Sequence, residues 1–145
     1  MSYWDTSALA KLYVSEPDSL SFRRHAAQAG MPPVTAEVTS LEMRRVAFCK
    51  ELAGGLQPGT AQTTVAQVEG DVTAGTLEIV EQTRTVVREF DQLMAACYRR
   101  SPPLPLRTLD ALHLASARVA GETEIVATDR RLREAALFLG FALFP

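Results

Sequence analysis

Apolar residues come in short blocks, and between them lie longer stretches with helical spacing. Ser2-Tyr-Trp is a short apolar run closed by an acid, Asp5. Thr6–Tyr13 then turns helical, with Leu9, Leu12 and Tyr13 on one stripe. Asp18 is placed to cap a helix reaching about Ala29, where Gly30 stops it. Pro32-Pro33-Val34-Thr35 leads into a second short strand. A helix over 40–52 follows, with Leu41, Arg45, Phe48 and Leu52 along one side and Gly54-Gly55 at its end. Pro58 opens another helix to about Val72, and TLEIV at 76–80 alternates as a strand. The segment 83–99 is helical with Val86, Val87, Phe90, Leu93 and Met94 as its buried stripe, and the Pro-rich run 101–105 is a loop. The segment 108–119 is almost wholly apolar and reads as a buried helix. A strand at 124–127, a helix at 130–139 and a strand at 141–144 complete the chain.

Short strands that alternate with helices specify a parallel sheet covered on both faces. The expected fold is α/β: a three-layer α/β/α sandwich around about five parallel strands, joined by right-handed crossovers. With 145 residues, the chain is expected to form one domain spanning 1–145. The richest apolar run, 135–144, is broken by Gly140 and falls short of a membrane span. An acid at position 5 stands where a signal peptide has basic residues followed by an apolar block. A cytoplasmic protein with no membrane contact is the expectation. Fifteen basic against seventeen acidic residues, a net charge of −2, argue against coating nucleic acid by bulk charge. A site that grips phosphate through a metal and a few local arginines stays open. Cys49 and Cys97 lie in helical patterns without a second ligand cluster, so both are expected as small core residues.

Parallel sheets bind ligands outside the carboxyl ends of their strands. Asp5 closes the first strand, Glu42 opens the helix after the second, Asp110 lies in the first turn of the buried helix, and Asp129 closes the strand EIVA. Each has a structural explanation. Asp5 and Asp129 suit helix N-caps, Thr39-Ser-Leu-Glu42 matches a capping box, and Asp110 complements a helix dipole behind a Thr108 cap. Caps alone do not explain why four acids gather on one rim. Converging carboxylates raise one another's pKa unless a cation sits among them, and open oxygen donors suit Mg²⁺ or Mn²⁺. Capping and metal binding are compatible.

The strings YWDTSALAKLY, TSLEMRRVAF, LRTLDALHLASA and VATDRRLREAA resemble, in order and spacing, the signatures of the PIN domain, and most of all VapC-type toxins of bacterial toxin–antitoxin pairs. The resemblance covers essentially the whole chain. It implies an Mg²⁺-dependent endoribonuclease, with Mn²⁺ as a substitute, whose acidic site is Asp5, Glu42, Asp110 and Asp129. Ser7 falls on the family's small polar position after the first acid, and Thr128 on its hydroxyl position before the last. It also implies an RNA substrate, a cognate antitoxin that silences the enzyme, and a homodimer. Metal-held water serves phosphodiester hydrolysis without a nucleophilic Ser or Cys. Asp5 and Asp110 are assigned to the metal directly or through water; Glu42 and Asp129 hold water and assist deprotonation. One metal or two both satisfy this donor set.

Arg44, Arg45, Arg107, Arg130 and Arg131 adjoin the acids, and Arg130 and Arg131 are the preferred RNA contacts. His113 shares a helix face with Asp110 but reads as a hydrogen-bonded core histidine, and His25 as exposed. Tyr3 and Trp4 read as core, Tyr13 as an exposed partner contact. The first helix and those over 40–52 and 60–72 are expected to border a groove beside the acids that receives an antitoxin helix. The competing reading is a non-catalytic binding module on the same fold, its acids serving only as caps.

Overall fold

The two aromatic residues that open the chain point to opposite faces of the sheet, as strand alternation requires. A computed structural model describes residues 2–145. It contains β1 (Ser2–Trp4), α1 (Thr6–Tyr13), α2 (Ser19–Ala29), β2 (Val34–Ala36), α3 (Val38–Leu52) and α4 (Ala61–Ala74). These are followed by β3 (Glu78–Val80), α5 (Arg84–Arg99), α6 (Thr108–Val119), β4 (Glu124–Val126), α7 (Arg130–Phe138) and β5 (Ala142–Phe144). The five strands are all parallel, in the order β3-β2-β1-β4-β5. Tyr3 packs with α5, α6 and α7 on one face; Trp4 packs with α1, α2, Met43 of α3 and Val68 of α4 on the other. The α/β/α sandwich is the expected one.

The buried helix is α6, in which every residue from Ala111 to Ala117 is buried between the sheet and α5. Gly30 ends α2 in the left-handed conformation, which costs glycine nothing.

Several expectations fail at particular residues. The stripe Leu41, Arg45, Phe48, Leu52 faces outward: Leu41 is 66%, Phe48 51% and Leu52 91% exposed. The side of α3 that packs inward is Thr39, Met43 and Ala47. The capping box does not form, because α3 begins at Val38 and the Thr39 hydroxyl is buried against that of Thr35 at 2.7 Å. Helix α4 starts at Ala61 rather than at Pro58 and is capped from outside, Ala61 N–H donating to Glu51 Oε2 at 2.7 Å. Asp18 makes no cap bond, since its carboxylate takes Lys11 Nζ at 2.7 Å. Thr108 is the first helical residue of α6, not its cap. Val87 and Cys49 are exposed, whereas Cys97 is buried as expected.

Candidate active site

From β1 the sheet grows in both directions, to β2 on one side and β4 on the other, which places the crevice of a parallel sheet at the β1 end. Asp5 follows β1, its N–H bonded to Val126 O at 3.1 Å, and Asp129 lies just past β4. Glu42 comes from α3 and Asp110 from the first turn of α6. All four carboxylates line one cavity of about 220 Å³, together with Thr6, Ser7, Arg45 and His113. Of the arginines named from sequence, Arg45 alone lines it; Arg130 and Arg131 are exposed beyond its wall.

The hydrogen bonds separate capping from the rest. Asp5 caps α1 through Oδ1, which accepts from Ala8 N–H at 2.7 Å, and both its oxygens accept from the Ser7 hydroxyl at 3.0 and 2.8 Å. Ser7 also meets the Thr128 hydroxyl at 2.9 Å, so the two hydroxyl residues join the ends of β1 and β4. Asp129 caps α7 through Oδ1, accepting from Arg131 N–H at 2.9 Å and Leu132 N–H at 3.1 Å. Asp110 takes the Arg107 N–H at the start of α6, but its Oδ2 is buried with no hydrogen-bond partner among the described residues. Glu42 caps nothing. Its Oε2 accepts from the Thr6 hydroxyl and lies 3.0 Å from His113 Nε2.

The electrostatics follow. Burial pushes the Asp5 carboxyl up, against the Ala8 and Ser7 donors. Burial raises Asp110 too, and the negative charge of Asp129 adds to it. Burial also pushes on Glu42, yet the His113 and Thr6 hydrogen bonds outweigh it and hold that carboxyl below its ordinary value.

A divalent cation fits these residues on one specific point: the buried, unpartnered Asp110 Oδ2. An orphaned buried acceptor costs about 1–3 kcal/mol, and a cation removes that cost. Among the described residues no three His, Cys, Asp or Glu side chains form a ready ligand set.

His113 is the hydrogen-bonded core histidine expected, 4% exposed, and it also lines the cavity. Its partner Tyr3 stands 110 positions away in sequence, so no local spacing marks the pair. His25 is half-buried, pairing with Glu124 at 2.8 Å and stacking on Phe144. Tyr13 is no free contact, for its hydroxyl donates to Asp71 Oδ2 of α4 at 2.8 Å. An apolar cavity of about 480 Å³ does open between α3 and α4, lined by Met43, Val65, Val68 and Val72; it lies against Glu37, Glu69 and Glu81, not the four acids.

Four acids thus gather at the central strand ends of a parallel sandwich, where such sheets place their sites. The PIN domain profile matches residues 2–137, and the chain belongs to the PIN domain family. It is 33% identical over 144 residues to Ribonuclease VapC47 of Mycobacterium tuberculosis (strain CDC 1551 / Oshkosh), covering 97% of this chain and 93% of that protein. To Ribonuclease VapC46 of Mycobacterium tuberculosis (strain ATCC 25618 / H37Rv) it is 30% identical, covering 97% and 94%. Among solved structures, VapBC2 from Rickettsia felis, bound to a DNA fragment from their promoter, matches with a TM-score of 0.66 at 13% identity, over 99% of this chain and 98% of that one. FitAcB from Neisseria gonorrhoeae matches with a TM-score of 0.64 at 14% identity, over 100% and 97%. At such identities the structures speak for the fold. Among the described residues no helix is long and apolar enough to cross a membrane.

Proposed function

We infer that this protein is a VapC-type endoribonuclease that hydrolyses RNA phosphodiester bonds with Mg²⁺, or Mn²⁺ in its place. The observation that carries the reading is the cavity at the β1 and β4 ends, where four carboxylates converge and one oxygen of Asp110 lacks a partner among the described residues. Asp5 and Asp110 hold the cation, directly or through water, while Glu42 and Asp129 orient water at the rim. Bound there, a divalent cation neutralises phosphate charge and makes water nucleophilic near neutral pH. Ser7 fixes the Asp5 carboxylate, and Thr128 fixes Ser7. Glu42, kept ionised by its two donors, is suited to accept a proton from an attacking water. Arg45 sits on the same wall and offers its guanidinium to the phosphate; Arg130 and Arg131 are placed for RNA beyond the cavity.

A cognate antitoxin and a homodimer belong to the same reading. The outward stripe Leu41, Phe48, Leu52 supports a protein partner, since apolar side chains of that size are seldom left together in water. Sedimentation of the isolated protein as a dimer is the expected result.

The deciding experiment is cleavage of RNA by the purified protein across an Mg²⁺ and Mn²⁺ titration, wild type against Asp5→Asn. Asn keeps the cap to Ala8 while removing the charge. Cleavage that needs the metal and disappears in a folded Asp5→Asn supports the reading. Wild-type cleavage by that variant overturns the site.

A further inference from the structure

Glu42 is the one acid of the four that takes no bond from a helix N-terminus, so something else must aim it. Its Oε2 is held from two sides, by the Thr6 hydroxyl and by His113 Nε2 at 3.0 Å. An ionised carboxylate donates nothing, so Nε2 must carry a proton to make that bond. The other ring nitrogen, Nδ1, lies 2.7 Å from the Tyr3 hydroxyl. Tyr3 is fully buried, and burial holds its phenol protonated. A buried O–H requires an acceptor, and Nδ1 at that distance is one. The ring meets Tyr3 edge-on, with centroids 5.8 Å apart, inside the cluster formed by α6 and β1.

We propose that Tyr3 and His113 form a buried positioning relay that fixes the direction of Glu42. Tyr3 O–H donates to Nδ1, Nε2–H donates to Glu42 Oε2, and the second oxygen of Glu42 is left for the cavity. Every donor in the chain then has one acceptor. Neither Tyr3 nor His113 touches RNA or metal; both act through Glu42. The relay joins the central strand to α6, the element that also carries Asp110, so two acids from different helices are set by one rigid contact. Outer-shell partners of metal-site carboxylates act in this way, and their loss costs about 10–100-fold in metal affinity or activity. The relay rests on the nuclease reading for its purpose, but not for its geometry.

The test uses three readouts on the full chain. Long-range ¹H–¹⁵N correlation of His113 in metal-free protein should show a proton on Nε2 and an unprotonated, hydrogen-bonded Nδ1; a proton on Nδ1 with a bare Nε2 overturns the relay. Mn²⁺ affinity, followed by electron paramagnetic resonance without RNA, should fall about tenfold in His113→Leu, with kcat for RNA cleavage falling about as much and KM less. His113→Gln keeps an N–H for Glu42 and should recover most of both losses. If Leu and Gln fail alike with unchanged thermal midpoints, or if folded His113→Leu matches wild type, the relay is wrong. Tyr3→Phe covers the case of a poorly folding His113→Leu: it should shift the Nδ1 resonance and weaken Mn²⁺ binding, and wild-type values in both overturn the proposal. If wild type neither binds Mn²⁺ nor cuts RNA, the nuclease reading fails, while the tautomer still reports on the relay.

Discussion

Two charged clusters sit at opposite ends of α1, and they are built to opposite rules. Lys11, almost fully buried, binds Glu16 at 2.6 Å and Asp18 at 2.7 Å, and Lys50 binds the other oxygen of Glu16 at 2.6 Å. Two cations meet two anions. Hydrogen bonds from Lys11 and Lys50 hold the Glu16 carboxyl below its ordinary value. Burial pulls the Lys11 ammonium down, but the bonds to Asp18 and Glu16 outweigh it and raise it. At the cavity, four acids share a wall with a single arginine, and burial drives Asp5 and Asp110 up. The balanced cluster ties α1 to the loop before α2 and to α3, and it is finished as it stands. The unbalanced one is costly in the protein alone, since burial disfavours the charged forms of Asp5 and Asp110. Charge left uncompensated in a fold that elsewhere pairs it marks the place where chemistry is expected.

The largest difference should appear in catalysis. Asp110→Asn is expected to lower RNA cleavage by about a hundredfold or more, while removing charge from a group whose ionised form the fold disfavours. Its thermal midpoint without metal should therefore equal or exceed that of wild type. A midpoint well below wild type would place Asp110 with the structural cluster. Next comes Lys11→Ala, expected to cost about 2 kcal/mol, less than a fully buried pair because Glu16 and Asp18 reach solvent. Denaturant unfolding measures this, and cleavage at a permissive temperature should be retained.

Metal addition should act on one cluster only. At about ten times its dissociation constant, Mg²⁺ or Mn²⁺ should add about 1.4 kcal/mol to wild-type stability. The same increment is expected in Lys11→Ala and a smaller one in Asp110→Asn. Calorimetric midpoints that ignore both ions in all three proteins would overturn a metal role for the acids. The smallest effect is the pH dependence, to which Glu16 and the two raised acids of the cavity contribute with opposite signs. The lowered Glu16 contributes stability present above the unfolded carboxylate value and lost as pH falls through its folded value. The raised Asp5 and Asp110 destabilise the metal-free fold while ionised, and that penalty is relieved as pH falls through their raised values toward the ordinary one. Metal-free wild type should thus gain stability from pH 7 downward before losing it in stronger acid. Asp110→Asn should flatten the gain, and Glu16→Gln the loss.

Much of this was legible along the chain, for physical reasons that stay local. Residue spacing, with Pro, Gly and acidic punctuation, marks the elements, because these signals are properties of neighbouring residues. Gly30 stopping α2, and Asp5 and Asp129 capping α1 and α7, are likewise decided within a few positions. The rule for parallel sheets places all four acids on one rim.

Tertiary structure decided what spacing leaves undetermined. A stripe such as Leu41, Phe48, Leu52 states which side of α3 is apolar, not whether another element covers it; Thr39, Met43 and Ala47 took the inner side because α3 packs that way on the sheet and α4. Glu42 has the sequence of a capping-box residue, but α3 begins too early for Thr39 to be its cap, which frees the carboxylate to turn toward α6. The Tyr13 hydroxyl finds Asp71, and the Tyr3 hydroxyl finds His113, across gaps in sequence that only folding closes. Which of two sides a side chain faces, and which distant donor it meets, depend on the packing of whole elements, and residue order alone does not contain it.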